Sequence, residues 1–148
     1  MKPDRSSPAH ILLVDDNSDG LLVRRIMLEE AGYSVVTARH AEQALERFSK
    51  SAFDVVVTDY RMPGMNGIEL ISRMRALDPN VRVVLISGLV EILGLNEENT
   101  GANAVVAKNS AEPAHLLRWV KRLANGAAQK KPVGSQRRRV PKSKTAGT

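Results

Sequence analysis

Short, unbroken apolar runs alternate with amphipathic stretches through about the first 125 residues of the chain. HILLVD (His10 to Asp15), YSVVTA, FDVVVTD, VRVVLIS and AVVAK carry their apolar positions consecutively and are rich in β-branched residues. Runs of that kind mark strands covered on both faces, hence a parallel sheet with helical crossovers. Helical spacing fills the intervals. LLVRRIMLEEAG (Leu21 to Gly32) places Leu22, Ile26 and Leu28 or Glu29 on one side, with Gly32 as a stop signal. AEQALERFSK groups Ala41, Ala44, Leu45 and Phe48, and IELISRMRAL groups Ile68, Ile71 and Met74 before Asp78-Pro79 closes it. GLVEILGLNEENTG is a poor helix, because Gly94, Asn96, Asn99, Thr100 and Gly101 interrupt it. A last helix, EPAHLLRWVKRLANG, ends at Asn125-Gly126. Five strand–helix pairs predict an open, doubly wound α/β fold with a five-stranded parallel sheet and helices on both faces. In such folds the ligand site lies beyond the carboxyl ends of the strands.

The residues at those ends carry the chemistry. The first strand runs into Asp15-Asp16, the third into Asp59, the fourth into Ser87 and the fifth into Lys108. Singly each has an ordinary structural reading, as a capping acid, a turn aspartate, a cap serine or a solvated lysine. Brought to one sheet edge they do not. Two carboxylates about 4 Å apart repel by ~4 kcal/mol at an effective dielectric near 20, so three of them require positive charge. Oxygen ligands with room for water suit magnesium, and Lys108 adds a second cation. A carboxylate can attack phosphorus to form an aspartyl phosphate, and that transfer is mostly positioning and electrostatics. Magnesium, the Lys108 ammonium and the Ser87 hydroxyl would then meet the three phosphoryl oxygens. The product places about −1.5 to −2 charge where one carboxylate stood, enough to pull Ser87 and its loop inward.

The stretch Asp59-Tyr60-Arg61-Met62-Pro63-Gly64-Met65-Asn66-Gly67, with LLVDDN before it and VVLISG and VVAK after it, resembles the response-regulator receiver family from about His10 to Asn125. The resemblance implies a flavodoxin-like sheet of order 2-1-3-4-5 and a phosphoacceptor at Asp59. It also implies magnesium on Asp16, Asp59 and the backbone carbonyl of Arg61, with Asp15 acting through water. Ser87 would be the hydroxyl switch residue and Lys108 the phosphoryl-contacting lysine. The donor would be a phosphohistidine on a histidine kinase or a phosphotransfer protein. Such a protein is a switch and not a turnover enzyme. Three positions depart from the family pattern. Asn109 stands where a proline usually follows the lysine, Val105 stands where an aromatic residue is usual, and the segment from Ser87 to Lys108 is about one residue short. The site looks intact while the usual output surface does not. Arg61, two residues past the acceptor, is expected to face the site mouth and to influence how fast water removes the phosphoryl group.

Composition adds limits and one further object. There are no cysteines, so disulfides and thiolate metal sites are excluded, and no apolar run approaches the ~20 residues of a membrane span. The N-terminal residues lack an apolar segment of secretory type, and a cytoplasmic location is expected. The net charge of +6 belongs to the tail: seven of the 22 Lys and Arg lie after Gly126, with none of the 16 acids. The chain is therefore divided into a flexible N-terminus (1–8), a receiver domain (9–126) and a disordered basic tail (127–148). That tail is either a solubilising segment or an electrostatic arm for nucleic acid, an anionic membrane or an acidic partner. Without aromatic residues it would grip phosphates without sequence preference. The three histidines, His10, His40 and His115, have no metal-ligand spacing, and Trp119 lies at helical spacing with Leu116 and Leu123. The leading reading is a stand-alone receiver that relays phosphoryl signals through contacts with another protein. The alternatives are a degenerate receiver used as a constitutive binding module and a magnesium-dependent hydrolase. The hydrolase would want an acid where Arg61 stands.

Overall fold

The computed structural model describes residues 7–130 of the chain. Elements alternate as β1 (His10–Val14), α1 (Ser18–Glu30), β2 (Ser34–Ala38), α2 (Ala41–Lys50), β3 (Val55–Asp59), α3 (Gly67–Leu77), β4 (Val83–Ser87), α4 (Val90–Leu93), α5 (Glu97–Thr100), β5 (Ala104–Ala107) and α6 (Glu112–Lys130). All five strands are parallel, in the order β2-β1-β3-β4-β5. That is the doubly wound sheet the apolar runs predict.

Each strand splits its side chains between two cores. Leu12, Val14, Val56, Val83 and Leu85 face α2 and α3, meeting Ala41, Ala44, Leu70, Ile71 and Met74. Ile11, Leu13, Val55, Val57, Val84 and Ile86 face the other way, toward Leu21 and Leu28 of α1 and Leu116, Val120 and Leu123 of α6. Each fully buried aliphatic side chain stabilises by about 1.5–3 kcal/mol, which is why the central strands are apolar at consecutive positions. Trp119 packs against the second core from its rim, with the Arg122 guanidinium 5.1 Å from its ring centroid.

Two expectations need correction. The spacing over Leu21 to Gly32 puts Leu22 and Ile26 on the inner face, yet they are 54% and 46% exposed, as is Val23 at 64%. The helix starts earlier, at Ser18, and its inner face carries Leu21 and Leu28. Arg24, between them on that face, is almost buried. The stop expected at Asn125-Gly126 is also absent: α6 continues to Lys130, and Gly126 is not among the glycines of positive φ. The basic tail therefore does not begin at 127 as an irregular segment. Residues 1–6 and 131–148, where most of the expected flexible N-terminus and tail fall, lie outside the described residues.

The weak stretch before β5 forms two single-turn helices. Gly94 (φ 63°) ends α4 and Gly101 (φ 80°) ends α5 in the left-handed region, where a Cβ is disfavoured. Arg75 of α3 anchors the approach to β5: its guanidinium donates to the carbonyls of Gly101 at 2.7 Å and Val81 at 2.7 Å and to Asn103 Oδ1 at 3.0 Å.

One glycine positions the β3 edge. At Gly67, the first residue of α3, a Cβ would lie 2.5 Å from the Asp59 carbonyl oxygen and 3.0 Å from Tyr60 Cα. Both are backbone and cannot swing aside. Gly67→Ala should therefore lower the urea unfolding midpoint by an equivalent of about 1–3 kcal/mol, the usual cost of overpacking. An unchanged midpoint would mean that α3 is free to shift.

Candidate functional site

The chain brings its polar residues to the carboxyl edge because the strands have no room for them elsewhere. Past Val14 the Asp15 N–H still donates to the Ala38 carbonyl at 3.1 Å, so the first acid is held by the sheet. Asn17 then caps α1, its Oδ1 accepting from the Gly20 N–H at 2.8 Å. Asp59 ends β3, and the next N–H, of Tyr60, donates to Ile86 of β4 at 2.9 Å. Ser87 ends β4, and its carbonyl accepts from the Lys108 N–H at 3.0 Å just after β5.

Asp15, Asp16 and Asp59 meet there, each with a carboxylate oxygen within 4.8 Å of the others. Asp15 is 1% exposed and Asp59 5%. The Lys108 ammonium lies 3.0 Å from Asp59 Oδ2. Ser87 is buried next to Asp59 in the sheet order, and its Oγ accepts from the Leu89 N–H at 2.9 Å. It closes the following turn, and among the described residues its hydroxyl donates to no protein acceptor. Arg61 is exposed in the loop between β3 and α3. Burial raises the Asp59 carboxyl above its ordinary range; Lys108 opposes this, and the neighbouring Asp15 reinforces it.

Two further residues complete this site, Arg24 and Glu112. Arg24 of α1 donates from Nη1 to Asp15 Oδ2 at 2.6 Å, and from Nε and Nη2 to the two oxygens of Glu112 at 2.8 and 3.2 Å. Burial alone would lower its guanidinium; Glu112 and Asp15 more than offset this, and it ends raised. Its sequence signal is the break in the apolar stripe of α1 at Gly20 and Arg24, four residues apart. With Glu112 the site holds four carboxylates against two cations, Arg24 and Lys108. Two negative charges are left over, a balance that suits one divalent ion with oxygen ligands.

The departing positions are structurally settled. Asn109 Oδ1 accepts from the Ala111 N–H at 2.8 Å, and its carbonyl accepts from the Glu112 N–H at 3.0 Å. An Asx turn thus takes the chain into α6 where a proline is usual. Val105 is half-buried against the α2–α3 core. Of the histidines, His10 stacks near Phe53 at 5.3 Å and His40 caps α2.

A family model described as the response regulator receiver domain matches residues 11–121. The chain is 35% identical to the response regulator receiver protein CpdR of Brucella abortus over 72% of its own length and 86% of that protein. It is 35% identical to the transcriptional regulatory protein GlrR of Escherichia coli over 54% of its own length, but this is only 18% of that protein. Among solved structures it is similar to a CheY-like receiver domain protein of Methanospirillum hungatei, with TM-score 0.73 and 28% identity over 83% of this chain and 98% of that one. The response regulator TrrA of Thermotoga maritima, solved with magnesium and beryllium fluoride, gives 0.66 and 28% over 78% and 98%. Among the described residues no helix is long and apolar enough to cross a membrane.

The raised Asp59 carboxyl makes a pH-dependent prediction. Because its folded value lies above the unfolded one, ionising Asp59 costs stability as pH rises through the folded value, and the cost vanishes below the unfolded value. Asp59→Asn should therefore raise the melting temperature in metal-free buffer at pH 7. Repeating the melts at successively lower pH should show that gain shrinking toward nothing.

Proposed function

The chain belongs to the response regulator receiver domain family, and from that membership we propose that it accepts a phosphoryl group on Asp59 from a phosphohistidine of a histidine kinase or phosphotransfer protein. The observation that carries the reading is the meeting of Asp15, Asp16 and Asp59 within 4.8 Å, with Lys108 already on Asp59. An Asp59 oxygen attacks phosphorus in line, the bond from phosphorus to the donor imidazole nitrogen breaks, and the imidazole leaves. Lys108 meets one phosphoryl oxygen as its hold on Asp59 loosens. The free Ser87 hydroxyl proton serves another.

Asp15, Asp16, Asp59 and the Arg61 backbone carbonyl would hold a magnesium ion, the ion named for the TrrA structure. When bound, it supplies the positive charge that lets a carboxylate and a phosphoryl group approach. The match to most of CpdR, itself named a receiver protein, supports the reading as a stand-alone receiver. The same reading has it relay its signal in the cytoplasm through contacts with a downstream protein. The degenerate-module alternative finds no support in a site that retains Asp15, Asp16, Asp59, Ser87 and Lys108 together.

Incubation with magnesium and acetyl phosphate should add one phosphoryl group by intact mass, and Asp59→Asn should add none. Lys108→Ala should slow the gain by roughly 10²-fold, the scale of losing one charge-stabilising donor. A phosphoryl group appearing in Asp59→Asn would refute the assignment. Once loaded, Arg61→Ala should alter the half-life of the phosphoprotein, and equal half-lives would remove Arg61 from any role in hydrolysis.

A further inference from the structure

Arg24 occupies a position that the rest of α1 explains only in part. It lies on the inner face between Leu21 and Leu28, where the helix otherwise buries apolar side chains. A buried arginine requires partners, and it has two carboxylates from different elements, Asp15 after β1 and Glu112 at the start of α6. Its grip on Glu112 is bidentate and sits at a helix N-terminus, where a carboxylate is favoured. The remaining nitrogen, Nη1, goes to Asp15 Oδ2 at 2.6 Å.

That last contact is made possible by Gly20. A Cβ at residue 20 would lie 2.9 Å from Asp15 Oδ2 and 3.0 Å from Arg24 Nη1, in the space beside the contact itself. Glycine at 20 and arginine at 24 thus work as a pair, one turn apart on one face. The other oxygen of Asp15 accepts from the Asn17 N–H at 3.0 Å. Both oxygens of this acid are engaged by protein donors, one of them charged. Asp16 has no ion pair of its own among the described residues.

We propose that Arg24 is a built-in counter-cation of the acidic pocket, which competes with the divalent ion for Asp15 and sets the metal affinity through its second partner, Glu112. The proposal deepens the function above and rests on its reading of the pocket as a metal site. Without the ion, Arg24 divides itself between Asp15 and Glu112 and offsets the crowding of the three aspartates. With the ion, the charge on Asp15 is neutralised twice over, so Nη1 gives up Asp15 while Nε and Nη2 keep Glu112. Occupancy of the pocket then changes how tightly α1 and α6 are tied to its edge.

The test uses manganese as the probe, titrated into the full chain and followed by electron paramagnetic resonance of the free ion. Arg24→Met should bind manganese roughly tenfold tighter or more, as expected when one cation leaves a partly screened site. Glu112→Gln, which leaves Arg24 to Asp15 alone, should bind it more weakly. The double variant keeps the net charge of the wild type and should still bind more tightly than it, which separates the specific contact from total charge. Affinities of Arg24→Met equal to or weaker than wild type would overturn the proposal while leaving the metal reading standing. Absence of binding in every protein would overturn both. Arginine side-chain nitrogen spectra of the wild type supply a check that needs no variant. Magnesium should shift the Arg24 Nη signals and leave its Nε–H protected, and an unmoved Arg24 spectrum would count against the idea.

Discussion

Three carboxylates at the ends of buried parallel strands set the terms for everything else in this molecule. The sheet is apolar on both faces, so side chains that must be charged are pushed to its carboxyl edge. Crowded there, the acids repel one another and lose hydration together, and burial is the larger penalty at Asp59. The protein answers with two cations of its own, Lys108 just after β5 and Arg24 from α1. Neither cancels the charge fully. The two negative charges left over suit one divalent ion, and the proposed phosphoryl transfer depends on that balance.

The fold was legible in the sequence because its signal is repeated. Five consecutive-apolar runs, each followed by a helix pattern, admit few architectures, and the strand-end residues then follow from topology alone. Asp15, Asp16, Asp59 and Lys108 could be placed together from the sequence, since each immediately ends or follows a strand. Ser87 was equally legible as a position; its Oγ accepts from the Leu89 N–H in a local turn, while α4 itself has no side-chain cap. The inner face of α1 was not legible. Leu22, Val23 and Ile26 are apolar and suitably spaced, and apolar spacing says nothing about which face a helix turns inward when a buried ionic network claims part of it. Arg24 and Glu112, 88 residues apart in sequence, have no local signature as partners. The end of α6 misled for a simpler reason: Asn-Gly is a stop signal only when the glycine turns left-handed, and Gly126 does not.

The departures from the family pattern are compensated locally and not left as gaps. Asn109 shapes the β5–α6 loop with its side chain, where a proline would shape it with a restricted backbone, and so still delivers Glu112 to the first turn of α6. The segment of α4 and α5 lacks a continuous helix, but Arg75 ties its far end to α3 through the carbonyl of Gly101 and the side chain of Asn103. Val105 packs into the α2–α3 core and offers no ring whose rotation could report on the site.

These details place the charge chemistry on one side of the sheet. Asp59 is bound to Lys108, Lys108 precedes the Asn109 turn, that turn sets Glu112, Glu112 grips Arg24, and Arg24 reaches Asp15 beside Asp59. The links form a closed circuit through β3, β5, α6, α1 and β1. On the proposed reading, a phosphoryl group on Asp59 would draw Lys108 toward its oxygens, and an ion on Asp15 would release one arm of Arg24. Both movements would bear on α1 and α6, the helices that Arg24 and Glu112 join. Beyond Ser87 the chain forms two single-turn helices, whose far end Arg75 ties to α3. The buried charge pairs among the described residues thus run from the ends of β1, β3 and β5 into α1 and α6, and a change at the pocket has a direct electrostatic route to those two helices.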